Sequence, residues 1–211
     1  MEQCQITWLG HSCFQIELEG HRILLDPYEH DYVPGLAPLQ AAAHEVYCSH
    51  DHGDHNAKSL VRPLPEDGGR PFRVSTVATD HDTEQGRLRG KNTIHIFESR
   101  DLRIAHLGDL GHLPTQEQAI PLTGLDVVMI PVGGYYTIGP EEAKKVAALL
   151  RPKVVIPMHY RGEGFGFPVL APVDDFLTLD GDCILYPGNT ITVTQASRPH
   201  VAVLTYQGGT P

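Results

Sequence analysis

Cysteine is scarce in this 211-residue chain and scattered along it, at Cys4, Cys13, Cys48 and Cys183. No two share C-x-x-C spacing, which excludes a zinc knuckle and a thioredoxin-type redox pair. Each sits in or beside an apolar run and is expected to be a small buried side chain. Long apolar runs are missing too; none approaches the ~20 residues that a membrane-spanning helix needs. The opening "MEQCQITWLG" has neither the basic stretch nor the apolar stretch of a secretory signal. Scattered thiols without an export signal fit a reducing cytoplasm. Positive charge is short: 16 Lys and Arg face 26 Asp and Glu, a net charge of −10. That excess argues against binding to nucleic acid or an anionic membrane surface. A small-molecule partner is expected, and self-association into a homo-oligomer stays open.

What is present is ordinary globular material, 41% apolar and 20% charged. The length suits a single domain over residues 1–211. Short β-rich runs fill the first third, "QITWL", "CFQIEL", "RILLD" and "HEVYCS", punctuated by Gly10 and Gly20. "AKSLVRPL" reads as the start of a short helix with Asn56 as its cap. "FRVSTVAT", "NTIHIFES" and "LRIAHLGD" read as three further strands. The clearest helix is "PEEAKKVAALLRP". Pro140 opens it, Glu141 and Glu142 lie at its positive end, and Ala143, Val146, Ala147 and Leu150 share one face. Apolar strands "DVVMIP" and "KVVIP" flank it. A short helix near "PVDDFLTL" and the strands "CILYP", "TITVTQ" and "HVAVLTY" follow. Two sheets with helices outside are the expected arrangement.

Histidine breaks the ordinary pattern, with 13 residues. The stretch "YCSHDHGDHNAK" contains His50, His52, Asp54 and His55 as H-x-H-x-D-H. Even this His-rich composition yields only about 0.003 copies of that pattern by chance. Side chains two apart on an extended segment point the same way, so His50 and His52 can grip one ion. Asp54 and His55 follow on a turn and can face a second. Imidazole and carboxylate suit zinc, iron or manganese, and a site without cysteine ligands keeps open positions, as catalytic sites do. Further ligands must come from other strand ends. The candidates are His81 in "VATDHDTEQG", Asp109 in "RIAHLGDLGH" and His159 in "VVIPMHY". An aspartate at a strand end can bridge two cations with its two oxygens.

The order of these pieces resembles the metallo-β-lactamase superfamily. The likeness runs through the glycine-marked hairpin "WLGHSCFQIE", "RILLDPY" with Asp26, "SHDHGDH", His81, "HLGDLGH" and "IPMHY", essentially the whole chain. "GRLRGKN", "GDLGH" and "IPVGGYYTIGPEEA" resemble its small bacterial branch related to L-ascorbate-6-phosphate lactonase. The resemblance implies an α+β fold, a four-layer αββα sandwich with metals at the sheet edges. It implies one site from His50, His52 and His81, a second from Asp54, His55 and His159, and Asp109 as the bridge. Two divalent ions are implied, zinc first, with manganese or iron as alternatives. Other branches fit less well. The nucleases carry an extra domain or arm for which 211 residues leave no room. The diiron oxidoreductases usually have Glu in place of His52 and append a flavodoxin domain.

The expected activity is hydrolysis by a metal-bound hydroxide, on a small lactone, ester or phosphodiester, whose being anionic stays open. A bound divalent ion lowers the pKa of water from ~15.7 to about 7. Asp54 is expected to bind metal and orient the hydroxide. His112, three residues after Asp109, is the expected proton donor to the leaving group, with Tyr136 and Tyr160 as alternatives. Of the basic group Arg87, Arg89 and Lys91, Arg89 is the expected contact for an anion. His11 and Tyr136 are expected to line the pocket. The rival readings are a mononuclear iron oxygenase on the same scaffold and a metal-binding protein without turnover.

Overall fold

In the computed structural model, residues 1–66, 69–177 and 182–208 are described. The period-two alternation of the N-terminal runs becomes a meander. β1 (Cys4–Gly10), β2 (Cys13–Leu18) and β3 (His21–Leu25) pair antiparallel in that order. Glu19 and Gly20 form the second turn, with φ of 54° and 84°. Positive φ at both central residues is the type I′ signature, whose twist matches a tight hairpin. β4 (Ala42–Ala43), β5 (Glu45–Tyr47) and β6 (Arg62–Pro63) follow, β5 joining β3 in parallel and β4 pairing with β6. β7 (Arg73–Asp80) and β8 (Lys91–Glu98) form a long hairpin, and β9 (Arg103–His106) pairs antiparallel with β8. After α1 (Gln116–Ala119), β10 (Val127–Pro131) crosses through α2 (Pro140–Leu150) to β11 (Val154–Met158) in parallel. α3 (Val173–Leu177), β12 (Cys183–Leu185), β13 (Thr190–Val193) and β14 (His200–Val203) end the order.

The strands form a five-stranded sheet, β13-β1-β2-β3-β5, and a seven-stranded sheet, β12-β14-β11-β10-β9-β8-β7. One buried cluster joins them. Ile6, Trp8, Phe14, Ile16, Ile23 and Leu25 come from the first sheet, and Ile94, Ile104, Val127, Met129 and Ile156 from the second. α2 enters the same core through Ala143, Val146 and Leu150, while Ala147 stays part-buried. On its other face the first sheet buries Cys13 and Leu24 under Tyr28, Val33, Leu36 and Leu39. The architecture is the expected α+β sandwich.

Some local expectations change. The 3-10 turn Lys58–Leu60 starts from Ala57 rather than Asn56, whose side chain instead reaches Asp51. Cys4 and Cys13 are buried as expected, but Cys48 is half-buried and Cys183 exposed on the edge strand β12. Of the short helix expected near residues 172–179, α3 is described and positions 178 and 179 lie outside the described residues. Among the described residues no helix is long and apolar enough to cross a membrane.

The Glu19-Gly20 turn gives a clean stability test. A Cβ at Gly20 meets nothing within 4 Å, so Gly20→Ala costs only the left-handed backbone. The expected loss is about 1–2 kcal/mol, read as a lower urea midpoint with an unchanged m value. An unchanged midpoint would show that the turn relaxes into another type without cost.

Candidate metal centre

Several strands deliver polar side chains to one rim. His11 follows β1, Asp26 follows β3, and the cluster from His50 to His55 follows β5. His81 follows β7, Asp109 follows β9, and His159 follows β11. β1, β3 and β5 run the same way in the first sheet, as do β7, β9 and β11 in the second. Their C-terminal ends therefore gather the side chains where the two sheets meet, the usual place for a site built on parallel strands.

Asp109 lies at the centre. Its Oδ2 is 3.1 Å from His81 Nε2, 3.2 Å from His159 Nε2 and 4.0 Å from His50 Nε2, and its Oδ1 is 3.2 Å from His55 Nε2. His50, His52 and His81 form one group able to hold an ion; His11, Asp54, His55 and His159 form another; His50, His55 and Asp109 link them. All seven ligand candidates of the sequence are thus brought together, and His11 joins them.

The histidines are held from behind. His55 Nδ1–H donates to Asp26 Oδ2 at 2.7 Å. Ser49 donates to the same carboxylate through its N–H and its hydroxyl, both at 2.6 Å. With its proton so engaged, Ser49 Oγ accepts from His50 Nδ1–H at 2.9 Å. His81 Nδ1–H donates to the Tyr136 carbonyl at 3.1 Å. Acceptors behind three imidazoles hold their Nδ1 protons and turn each Nε2 toward the centre, as outer partners of metal-binding histidines do. Asn92 Oδ1 takes the Asp109 N–H at 2.9 Å, while its amide group donates to Thr79 Oγ1 and the Leu107 carbonyl. A Cβ at Gly108 would strike Asn92 and Ser49, so only glycine fits between them. His106, also buried, accepts from the Gly108 N–H and points Nε2 at the Ser12 carbonyl.

Charge at the centre is unbalanced in a specific direction. Asp26, Asp54 and Asp109 are buried, and among the described residues no Lys or Arg pairs with them. Burial disfavours the Asp109 carboxylate, yet His159 and His55 hold it well below the ordinary range. Burial also opposes charge on His55, but Asp109, Asp54 and Asp26 push that imidazole well above its usual value. His50 and His11 go the other way, chiefly through burial, to about 3 and about 4. They stay neutral and able to ligate. His50 Nε2, His55 Nε2, His159 Nε2 and Asp109 Oδ1 are buried without a hydrogen-bond partner. Buried polar atoms without partners are rare and costly. A divalent cation would satisfy the unpaired atoms and the carboxylate excess together, so this donor set fits the metal that the sequence implied.

A cavity of ≈ 400 Å³ opens above the centre. His52, Asp54, His81 and Asp109 are on its lining, and Tyr32, Leu88, Arg89, Tyr136 and Phe167 wall it. Arg89 and Tyr136 stand where the sequence put them. His11 does not line this cavity; it is buried, with Nε2 3.2 Å from Asp54. His112 also stands apart from the expected place. Its Nε2 accepts from the Asp80 N–H at 3.1 Å, its Nδ1 faces the Leu113 carbonyl at 2.9 Å, and it is not on the cavity lining. Tyr160 is buried in the core against Trp8, at a ring distance of 5.3 Å.

The profile of the Beta-lactamase superfamily domain matches residues 5–159. A crystal structure from Thermotoga maritima, provisionally assigned as a Zn-dependent hydrolase of the metallo-β-lactamase superfamily, is 38% identical, with a TM-score of 0.77 over 95% of this chain and 98% of that one. The chain belongs to the metallo-β-lactamase superfamily. Within the superfamily it is similar to a UPF0173 metal-dependent hydrolase of Thermofilum pendens, 31% identical over 74% of this chain and 83% of the relative. A second UPF0173 metal-dependent hydrolase, from Staphylothermus marinus, is 29% identical over 89% of this chain and 98% of its own length. Igni18, a metallo hydrolase of the archaeon Ignicoccus hospitalis, shares the superfamily fold at 22% identity and a TM-score of 0.65, over 90% of this chain and 98% of its own. These relatives are mostly archaeal and do not confirm the expected bacterial branch.

The hold on the histidines can be tested at Asp26. Asp26→Ala removes the acceptor behind His55 and, through Ser49, the one behind His50. Metal affinity is expected to fall about 10–100-fold in competition with a chromogenic chelator, while circular dichroism keeps the wild-type shape. Undiminished affinity would reduce Asp26 to a packing role.

Proposed function

We propose that the chain is a hydrolase that uses two divalent metal ions, zinc first, to cleave a small anionic lactone, ester or phosphodiester. The observation that carries this reading is the set of buried, unpartnered atoms that converge around Asp109. The metal-dependent hydrolases among its relatives support it. His50, His52 and His81 would hold one ion and Asp54, His55 and His159 the other, with His11 beside the second and Asp109 between them. Bound divalent ions supply a nucleophile at neutral pH, by lowering the pKa of water to about 7, and they polarise the oxygen of the bond to be broken.

The chain's own groups have distinct tasks. The Asp54 carboxylate resists protonation, since His55 and His11 outweigh its burial. Kept ionised, it accepts a hydrogen bond from the attacking water and aims it. Tyr136 is on the cavity wall, with its carbonyl anchored by His81, and its hydroxyl is the proposed donor of the proton that the leaving group needs. Arg89 receives the negative charge of the substrate. A small-molecule substrate, no nucleic acid and a reducing cytoplasm complete the proposal.

Elemental analysis after gentle reconstitution is expected to give about two ions per chain. Asp109→Asn keeps the shape of the side chain but halves its ability to join two cations. It is expected to lose one ion and most turnover with the fold intact. Full metal content and full turnover in this variant would refute the bridging role.

Proton donation is read from a leaving-group series. Tyr136→Phe is expected to slow substrates with basic leaving groups far more than nitrophenyl substrates, giving a steeper dependence of rate on leaving-group pKa. His112→Ala, with both ring nitrogens already tied to backbone, is expected to keep the wild-type slope. The reverse result would return the acid role to His112.

A further inference from the structure

The cavity above the metal ligands has an unusual wall. Tyr32 and Phe167 meet edge-on, with ring centroids 6.4 Å apart and planes at 90°, and Phe167 meets Tyr136 at 5.7 Å. Leu88 completes the apolar wall. Tyr32 is 45% exposed and Leu88 61%, so large apolar surfaces stand open at the mouth instead of joining the core. Apolar surface gathered around a concavity marks a ligand contact.

Charge on the wall is single. Arg87 pairs with Glu84 at 2.9 Å and Lys91 with Asp80 at 2.6 Å, so two of the three local cations are already neutralised. The Arg89 guanidinium lies 5.7 Å from the centroid of the Tyr136 ring, and among the described residues no carboxylate pairs with it. The backbone that carries it is fixed. The Asp82 carboxylate accepts from the backbone N–H groups of Glu84, Gly86, Leu88 and Arg89 at 2.7–2.9 Å. Four donors on one carboxylate hold the loop in a single shape, directly after His81.

Among the described residues that line the cavity there is no Asn, Gln, Ser or Thr, and on its wall the neutral hydrogen-bonding groups are the hydroxyls of Tyr32 and Tyr136. A sugar or other polyol would bring more hydroxyls than these two can pair, which weakens binding.

We infer that the substrate is amphipathic. An aromatic or branched apolar group lies against Tyr32, Phe167, Tyr136 and Leu88, and one anionic group meets Arg89. The inference rests on the proposed hydrolase reading only in taking this cavity as its substrate pocket. It sets aside the polyhydroxylated lactones that the likeness to a sugar-acid lactonase suggests.

The test is equilibrium binding of product-like probes to the metal-loaded protein by calorimetry. Phenylacetate carries both features, phenylacetamide lacks the charge, and gluconate carries the charge on a polyol. Phenylacetate is expected to bind at least about tenfold more tightly than either of the others. Arg89→Gln should bring phenylacetate to the phenylacetamide level and leave phenylacetamide unchanged. Phe167→Ala should weaken both aromatic probes and spare gluconate; Phe167→Leu, which keeps most of the packing, should do the same to a lesser degree. Gluconate binding as tightly as phenylacetate overturns the inference, and so does a phenylacetate affinity indifferent to Arg89→Gln. Turnover of hydroxylated lactones together with preference for gluconate would sink this inference and leave hydrolysis standing. The expected binding pattern without hydrolysis of any aryl ester bearing a carboxylate would uphold the inference and sink the hydrolase reading.

Discussion

The Asp26 carboxylate is the contact on which the geometry of the metal centre depends. It is buried in the sandwich and accepts from Ser49 twice and from His55 once. Burial alone would raise its pKa. His55 and His106 nearby, and the hydrogen bonds from His55 and Ser49, reverse that and hold it at about 2, below its ordinary 3.8. Because the folded value is depressed, this stabilisation is complete above the unfolded pKa and fades as pH falls through about 2. Near neutrality Asp26 can therefore act only as an acceptor. An obligate acceptor dictates which nitrogen of His55 carries the proton, and through Ser49 it dictates the same for His50.

The two sheets supply the second constraint. The His11 carbonyl accepts the Trp8 indole N–H at 2.9 Å and the His159 N–H at 3.2 Å, tying the first hairpin to the end of β11. His11, Asp26 and His159 all have positive φ, at 53°, 44° and 54°. Such backbone is costly for residues with a Cβ and persists where surrounding structure over-determines it. Here the core between the sheets does so. It fixes the strand ends, and the strained residues at those ends aim side chains inward.

Much of the centre was legible in the sequence because its ligands are local or stand at strand ends. The cluster from His50 to His55 is a contiguous pattern, and His81, Asp109 and His159 each end an apolar run. The differences follow from direction. β11 ends at Met158 and His159 turns the chain with its positive φ, so the next side chain, Tyr160, packs in the core against Trp8 while His159 faces the centre. His112 is close to Asp109 in sequence, but the Gly111 N–H bonds to the Asp80 carbonyl and lays the segment along β7, away from the cavity. The roles of the supports were hidden for another reason. Asp26, Ser49, Asn92 and His106 stand in the motifs of the sequence, but they act through hydrogen bonds to partners as far as 94 residues away, which no short pattern encodes. α1 left a local sign, the Thr115 and Gln118 capping box, which is easily passed over before so short a helix.

Gly53 lies between His52 and Asp54, two candidate ligands of the histidine cluster, and a Cβ there would collide with the ring of Tyr32. The Gly53 carbonyl also accepts the Glu29 N–H at 2.7 Å. The loop of candidate ligands and the wall of the cavity are thus pressed together at one residue. Specificity and ion affinity are therefore not separately adjustable at this corner. A variant selected for a new substrate through Tyr32 inherits a changed metal loop, and one selected for another metal through this loop inherits a changed pocket. Evolution of either property here proceeds by paired substitutions.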